Sequence, residues 1–287
     1  RTVTGVLTCA LPISADVKKL GVTELTAFYR RHYTPNNAVL VIAGAATPEA
    51  VRKLAEKYYG PIPRRPVEAR RRPSEGGPGL PQKVMRADAR VVEPRWSRDF
   101  IAPSYRSAES RHAYALTVLS HIFGGSETSR LWRAMVVDSK LALSASAGYS
   151  ATRLGLSAFD ISVHPAPQKS IVDMEGAVVD QMKRLLDDGV TPEEVERAQN
   201  QLLAAAIYSQ DSLASGPRIY GTMLGLGASI ADIDDWPKRI AAVTPADVTR
   251  VANKYLTGGR VVLSVVPMGK TDQASKPNES RKVGGAQ

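Results

Sequence analysis

The chain has 287 residues, of which 43% are hydrophobic, and this is enough for more than one domain with a buried core. No apolar run approaches the roughly 20 residues of a transmembrane helix, and the single cysteine, Cys9, excludes a disulfide within the chain. The formal net charge of +10 raises nucleic acid as a partner. We nevertheless predict no nucleic-acid partner, because the densest arginine cluster lies in a proline-rich segment without aromatic residues to stack on bases. That cluster is Arg64, Arg65, Arg70, Arg71 and Arg72.

The first predicted element is an amphipathic helix. Leu25, Phe28 and Tyr29 recur at helical spacing, and Thr23 is the predicted N-cap. Pro35 ends the helix, because the residue before a proline is driven out of the α region.

A turn and a strand are predicted next. Asn36 and Asn37 tolerate turn dihedral angles, and residues 38–43 form an apolar, partly β-branched run that predicts a buried strand closed by Gly44. Thr47 is then the predicted N-cap of another helix, with a proline in its first turn.

Two ordered strings carry a family resemblance. The helix, the turn from Tyr33 to Asn37, the apolar run and the next helix together resemble the end of the first domain in the pitrilysin/insulinase family of zinc metallopeptidases. The segment from Phe123 to Arg133 resembles the Gly-Gly-x-x-x-Ser-Arg-Leu segment of the family's following domain. The resemblance marks nine positions as structural or chamber-lining: Tyr33, Pro35, Asn37, Gly44, Gly124, Gly125, Ser129, Arg130 and Leu131.

The resemblance implies an α+β fold built from duplicated sheet-plus-helix domains of the LuxS/pitrilysin-like type, the first of them incomplete. We predict a leader over residues 1–14 that looks foreign to the fold, although a strand and loop of the first domain is the alternative. The predicted boundaries are 15–63 for the C-terminal part of the first domain, 64–82 for a Pro/Arg-rich linker, 83–268 for the second domain and 269–287 for a disordered tail.

Periodicity predicts the elements of the second domain. A capping box at Thr191 and Glu194 opens one of its helices, and Gly189 ends the helix before it. Its last helix and strand repeat the plan of residues 22–43, which indicates a duplication. The predicted strands are 82–89, 91–101, 141–150, 154–164 and 260–266, and the predicted helices are 104–123, 129–139, 169–188, 191–208, 212–226, 230–243 and 245–255.

The zinc motif of the family is absent from these residues. Active members carry His-x-x-Glu-His on a helix, in which two imidazoles one turn apart hold zinc and the glutamate polarises the attacking water. His32, His112, His121 and His164 do not begin that pattern. His112 and His121 are too far apart on one predicted helix to share a metal. We predict no catalytic or metal residue in this chain, and the resemblance places zinc and its ligands upstream in a longer parent protein.

A substrate-gripping pair is also absent. In family proteins whose downstream domain contacts substrate, an arginine and, seven residues later, a tyrosine follow the Ser-Arg-Leu helix. Val136 and Leu143 stand at those places and have no side-chain donors. In bacterial two-subunit members this pair and the zinc motif lie on different chains, so its absence is typical of the zinc-bearing subunit.

Three interpretations follow. The favoured one is the C-terminal portion of a zinc endopeptidase subunit that encloses peptide substrates together with a homologous subunit, as a homo- or heterodimer. The second is a non-catalytic structural partner subunit of the same family. The third is an unrelated binding module, associated with nucleic acid. Bacterial relatives suggest a periplasmic location by resemblance only.

Overall fold

The computed structural model describes residues 17–67, 82–257 and 261–267, which form two units. Unit 1 consists of the described residues up to 67 together with Gln210–Ile230, and unit 2 consists of the remainder. The segment Gln210–Ile230 lies within the predicted second domain, 83–268, but groups with unit 1. The predicted leader, residues 68–81 of the predicted linker, and the predicted tail lie outside the described residues.

Helices and one sheet make up the described structure. The helices are α1 (Val22–His32), α2 (Pro48–Tyr59), α3 (Ser110–Gly124), α4 (Arg130–Trp132), α5 (Ile171–Asp188), α6 (Pro192–Tyr208), α7 (Ser215–Gly225), α8 (Ile230–Asp234), α9 (Trp236–Ala241) and α10 (Pro245–Tyr255). The strands are β1 (Gln82–Asp88), β2 (Arg95–Ala102), β3 (Ala142–Tyr149), β4 (Ser157–Pro165) and β5 (Val261–Pro267). Within the described ranges, no helix combines the length and apolarity that crossing a membrane requires.

The helix starts in unit 1 follow local capping chemistry. The predicted N-cap of α1, Thr23, is wrong: Gly21 is the N-cap, and its N–H donates to the Glu24 carboxylate at 2.8 Å. A carboxylate in the first turn accepts from an otherwise unpaired N–H and faces the positive end of the helix dipole. The predicted N-cap of α2 is confirmed, because Thr47 Oγ1 accepts from the N–H of Ala50 at 3.3 Å.

The predicted buried strand over residues 38–43 is wrong. These residues belong to no sheet, and Val39, Leu40 and Ile42 are 52%, 54% and 52% exposed. A strand needs a neighbour that satisfies its backbone N–H and C=O groups. The described residues of unit 1 contain no strand that pairs with this run.

Two predicted helices of unit 2 differ from the observed ones. The helix predicted over residues 230–243 is divided into α8 and α9, because Pro237 lies in the first turn of α9 and a proline ring cannot continue the preceding helix. The helix predicted from residue 104 begins at Ser110. Before it, Ser107 Oγ donates to the carbonyl of Ser104 at 2.9 Å, a local bond that competes with helix formation.

The five strands of unit 2 form a mixed sheet in the order β1-β5-β2-β4-β3. β1 and β5 are parallel, and the other neighbouring pairs are antiparallel. Trp96 in the central strand lies opposite Ser264 of β5 on one side and Val163 of β4 on the other. The sheet register therefore places Trp96 and its neighbours on one face.

That face carries the core of unit 2. Trp96, Phe100 and Phe159 are fully buried on the sheet, and Leu116 and Phe123 of α3 are fully buried against them. Full burial of each such side chain contributes about 1.5–3 kcal/mol. The packing of helices on this face leaves the opposite face to polar side chains.

Candidate functional site

The paired glycines of the predicted motif end α3 where it meets β3. A Cβ atom on Gly124 would lie 2.1 Å from the backbone nitrogen of Ala147 and 2.7 Å from the carbonyl carbon of Ser146. Gly125 caps the helix, and its N–H donates to the carbonyl of His121 at 3.2 Å. Gly124 thus permits an approach of helix to strand that a side chain would prevent.

The Ser-Arg-Leu segment is a framework element in this structure. Ser129 is the N-cap of α4 and its Oγ donates to the carbonyl of Ser126 at 2.5 Å, while Leu131 is fully buried. Arg130 donates from Nε and Nη2 to the two carboxylate oxygens of Glu194, each at 2.6 Å. This two-bond ion pair joins α4 to the start of α6. The helix predicted over 129–139 is observed as α4 followed directly by a π-helical turn, Arg133–Asp138.

Glu194 serves two partners at once. Its carboxylate accepts from the N–H of Thr191 at 2.9 Å, and Thr191 Oγ1 accepts from the N–H of Glu194 at 3.3 Å, which confirms the predicted capping box. Burial raises the pKa of the Glu194 carboxyl, but the hydrogen bonds from Arg130 and from the Thr191 backbone outweigh burial and leave the pKa below its ordinary value.

This lowered pKa predicts a pH dependence. A carboxyl whose folded pKa is depressed stabilises the fold above its unfolded pKa of about 4.3, and that contribution is lost as pH falls through the folded value. We expect the stability difference between the wild type and Glu194→Gln to be constant near neutral pH and to shrink in acid. Urea unfolding of both proteins at several pH values measures it. A difference that stays constant into strong acid would contradict the prediction.

The unit 1 motif positions shape a turn. Asn37 Nδ2 donates to the carbonyl of His32 at 2.9 Å and so ties the Pro35–Asn37 turn to the end of α1. Gly44 has φ +146°, which favours glycine, and Tyr33 is largely exposed. Their assignment as structural or chamber-lining residues stays a prediction.

The histidines make separate contacts. His112 Nδ1 lies 2.7 Å from the Tyr255 hydroxyl, His121 Nε2 lies 2.7 Å from Gln201 Oε1, and the His32 ring packs against Phe28. Across the parts of the chain that the structure describes, no group of three or more His, Cys, Asp or Glu could hold a metal ion.

The two positions aligned with the missing substrate pair differ in environment. Val136 lies in the π-helical turn and packs against the core, whereas Leu143 is half exposed beside the irregular register at the start of β3. Neither side chain offers a hydrogen-bond donor.

A polar surface that no sequence motif indicated lies on the face of the sheet opposite the helices. Asp99 of β2 lies directly opposite Asp160 of β4, and Arg95 Nε donates to Ser162 Oγ at 3.0 Å. Desolvation and the neighbouring Asp160 raise the pKa of Asp99 against the opposing effect of Arg95. The polar residues at alternate positions of β2 were the available sequence signal.

The fold and these positions define an α+β domain with a helix-covered sheet, in which Gly124 and Arg130 hold neighbouring elements together. The family described as the peptidase M16 inactive domain matches residues 19–202, more than half of the chain. The chain belongs to this family, which confirms the resemblance drawn from its two strings and the α+β fold that the resemblance implies.

Proteins similar to this chain are named as proteases or as domains of the same family. A protein named as an uncharacterized zinc protease from Streptomyces coelicolor is 27% identical over 273 residues, which cover 92% of this chain and 57% of that protein. The crystal structure of a protease from Helicobacter pylori superimposes with a TM-score of 0.79 at 18% identity, covering 88% of this chain and 60% of that one. The peptidase M16 inactive domain from Pseudomonas fluorescens gives 0.72 at 18% identity, covering 88% and 59%. The chain thus spans somewhat more than half the length of these relatives.

Proposed function

We propose that this chain is the C-terminal portion of a zinc-dependent endopeptidase subunit and that its sheet forms part of the wall of a chamber that encloses peptides. In this proposal the zinc ligands lie upstream in a longer protein, and a homologous subunit closes the chamber. The observation that carries the proposal is the unequal sheet of unit 2, with one face covered by helices and one polar face.

The polar face suits contact with an extended peptide. Arg95 and Asp99 are exposed on it, and Leu263 and Val84 add partly exposed apolar area between the charges. Such a mixture can bind varied peptide side chains while it remains hydrated.

The exposed apolar side chains of unit 1 support a longer parent protein. Leu25, Phe28 and Tyr29 of α1 and Leu54 and Tyr58 of α2 are each more than half exposed. Exposed apolar side chains in this number indicate a surface that other residues cover in the whole protein. In the proposed protein, upstream residues of the same first domain cover it and provide strand partners for residues 38–43.

A second candidate is the non-catalytic partner subunit. It is favoured by the family's description as an inactive domain and by the lack of His-x-x-Glu-His in all 287 residues. Against it stand Val136 and Leu143, because a partner subunit would supply the arginine and tyrosine at those two places.

One experiment separates the candidates. The coding sequence upstream of the codons for residues 17–25 is recovered, and the longer protein is expressed beside the 287-residue chain. Zinc content is measured by mass spectrometry. Cleavage is measured with an unstructured fluorogenic peptide as the substrate. We expect about one zinc per longer chain, as a His₂Glu site holds, with cleavage, and neither property in the 287-residue chain.

A matched deletion tests the role of unit 2. The longer protein without residues 82–287, a deletion that removes unit 2 together with the Gln210–Ile230 segment of unit 1, should keep zinc and lose cleavage, because the chamber wall is gone. Stoichiometric zinc on the 287-residue chain, or full cleavage after the deletion, would contradict the proposal. An upstream region without the zinc motif would instead establish the partner subunit.

A further inference from the structure

A cleft of about 710 Å³ lies among the helices of unit 2. It is lined by the first residues of α3, by α9 and the residues after it, and by α10, all of which belong to this unit. The volume is in the range of ordinary small-molecule sites. The cleft shares no residue with the Ser-Arg-Leu segment or with the polar sheet face.

Three guanidinium groups line this cleft: those of Arg111, Arg239 and Arg250. Arg239 is held in place, because Nη1 donates to the Tyr114 hydroxyl at 2.7 Å, Nη2 donates to Asp232 at 2.9 Å, and the guanidinium lies 5.5 Å from the centre of the Tyr114 ring. A guanidinium fixed in this way loses little further freedom when it binds a ligand.

The other two arginines are more exposed. Arg250 Nη1 donates to Asp247 at 2.8 Å, and 61% of the Arg250 side chain is exposed. Arg111 is exposed, and no hydrogen bond or ion pair joins its side chain to another described residue. Arg111 therefore brings a positive charge that the described structure leaves uncompensated.

The ring of His112 also lines the cleft and is held there by a hydrogen bond. The Tyr255 hydroxyl donates to the Glu109 carboxylate, so the 2.7 Å contact between this hydroxyl and His112 requires His112 Nδ1 to be the donor. In the neutral ring, a proton on Nδ1 leaves Nε2 as an acceptor, so the arginines and not His112 supply the donors for an anion.

The charge balance of the cleft is positive. Its lining contains three arginines against one carboxylate, Asp247, and one positive charge remains when Asp232, which binds Arg239 from outside the lining, is counted as well. Guanidinium groups match the oxygen geometry of phosphates and carboxylates.

We propose that this cleft is a binding site for a small anionic ligand that carries two or more oxyanion groups, phosphate or carboxylate. Arg239 is its fixed anchor, and Arg111 and Arg250 close on the remaining oxyanion. This inference does not rest on the proposed peptidase role, since the cleft would bind its ligand with or without a zinc-bearing domain.

The test uses the full 287-residue chain at low ionic strength, with pyrophosphate as the phosphate probe and citrate as the carboxylate probe. Isothermal titration calorimetry should show saturable binding of at least one of them, and which one binds identifies the oxyanion. Putrescine, a small dication, should not bind. Arg111→Gln combined with Arg250→Gln should weaken binding by about tenfold or more, because two charge-assisted hydrogen bonds are lost.

Two further variants complete the design. Arg133→Gln removes an equally exposed arginine outside the cleft and should leave binding unchanged. Arg111→Lys combined with Arg250→Lys keeps the charges and should retain more affinity than the glutamine pair. Absence of saturable binding by both anions, or equal weakening by Arg133→Gln, would overturn the proposal.

Discussion

Gly124→Ala should destabilise unit 2 by about 2–3 kcal/mol, the upper part of the range of overpacking changes in a close-packed core. The new Cβ would lie 2.1 Å from the Ala147 nitrogen and 2.7 Å from the Ala147 Cβ. These are backbone and near-backbone atoms of β3, so they can yield only if α3 and β3 separate. Urea unfolding followed by tryptophan fluorescence measures the loss, because all three tryptophans, Trp96, Trp132 and Trp236, lie in unit 2.

The sign of the effect makes this test sharp. In an ordinary exposed helix position, glycine to alanine stabilises by roughly 0.5–1 kcal/mol. Gly176 of α5 is such a position, because it is exposed and no atom lies within 4 Å of its added Cβ. Gly176→Ala should therefore raise stability. Stabilisation by both substitutions would show that α3 and β3 do not meet as the structure shows.

Arg130→Met should destabilise unit 2 by about 2 kcal/mol, because it leaves the Glu194 carboxylate without its charged donor. The ion pair is mostly shielded, with side-chain exposures of 23% for Arg130 and 16% for Glu194. Solvent and salt therefore screen this pair less than exposed ion pairs, whose contribution to stability is close to zero. Glu194→Gln is the second single variant, because glutamine keeps the acceptor that the Thr191 N–H requires in the capping box.

A double-mutant cycle isolates the pair. The loss in the combined variant should be clearly smaller than the sum of the two single losses, by about 1 kcal/mol or more, since the partners contact each other directly. Arg133→Met provides the control, because Arg133 is exposed and should change stability by no more than about 0.5 kcal/mol. Strictly additive single losses would mean that the ion pair contributes nothing in solution.

Capping was readable from the sequence because it is local. The box formed by Thr191 and Glu194 needs only residues three apart, and it occurs as predicted. The second role of Glu194 was not readable, because Arg130 lies 64 positions away in the chain. The same carboxylate therefore has one role fixed by neighbours in sequence and another fixed by the tertiary structure that brings Arg130 beside it.

The motif glycines show a similar division. The resemblance identified Gly124 as a family position, yet nothing in the sequence around it names β3 as the strand it touches. The arginine-lined cleft could not be predicted either, because Arg111 and Arg239 line one cleft only after α3 and α9 pack in one unit. Neither arginine stands in a motif.

By itself, the sequence determined the helix starts at the caps Thr47 and Thr191, most strands of unit 2 and the family to which the chain belongs. Only the tertiary structure decided which of two similar apolar runs, residues 38–43 and 261–267, forms a strand. Residues 261–267 form a strand because β1 and β2 pair with them on both sides. Residues 38–43 are comparably apolar but pair with no described strand, and an unpaired backbone stays in contact with water, because its N–H and C=O groups need partners.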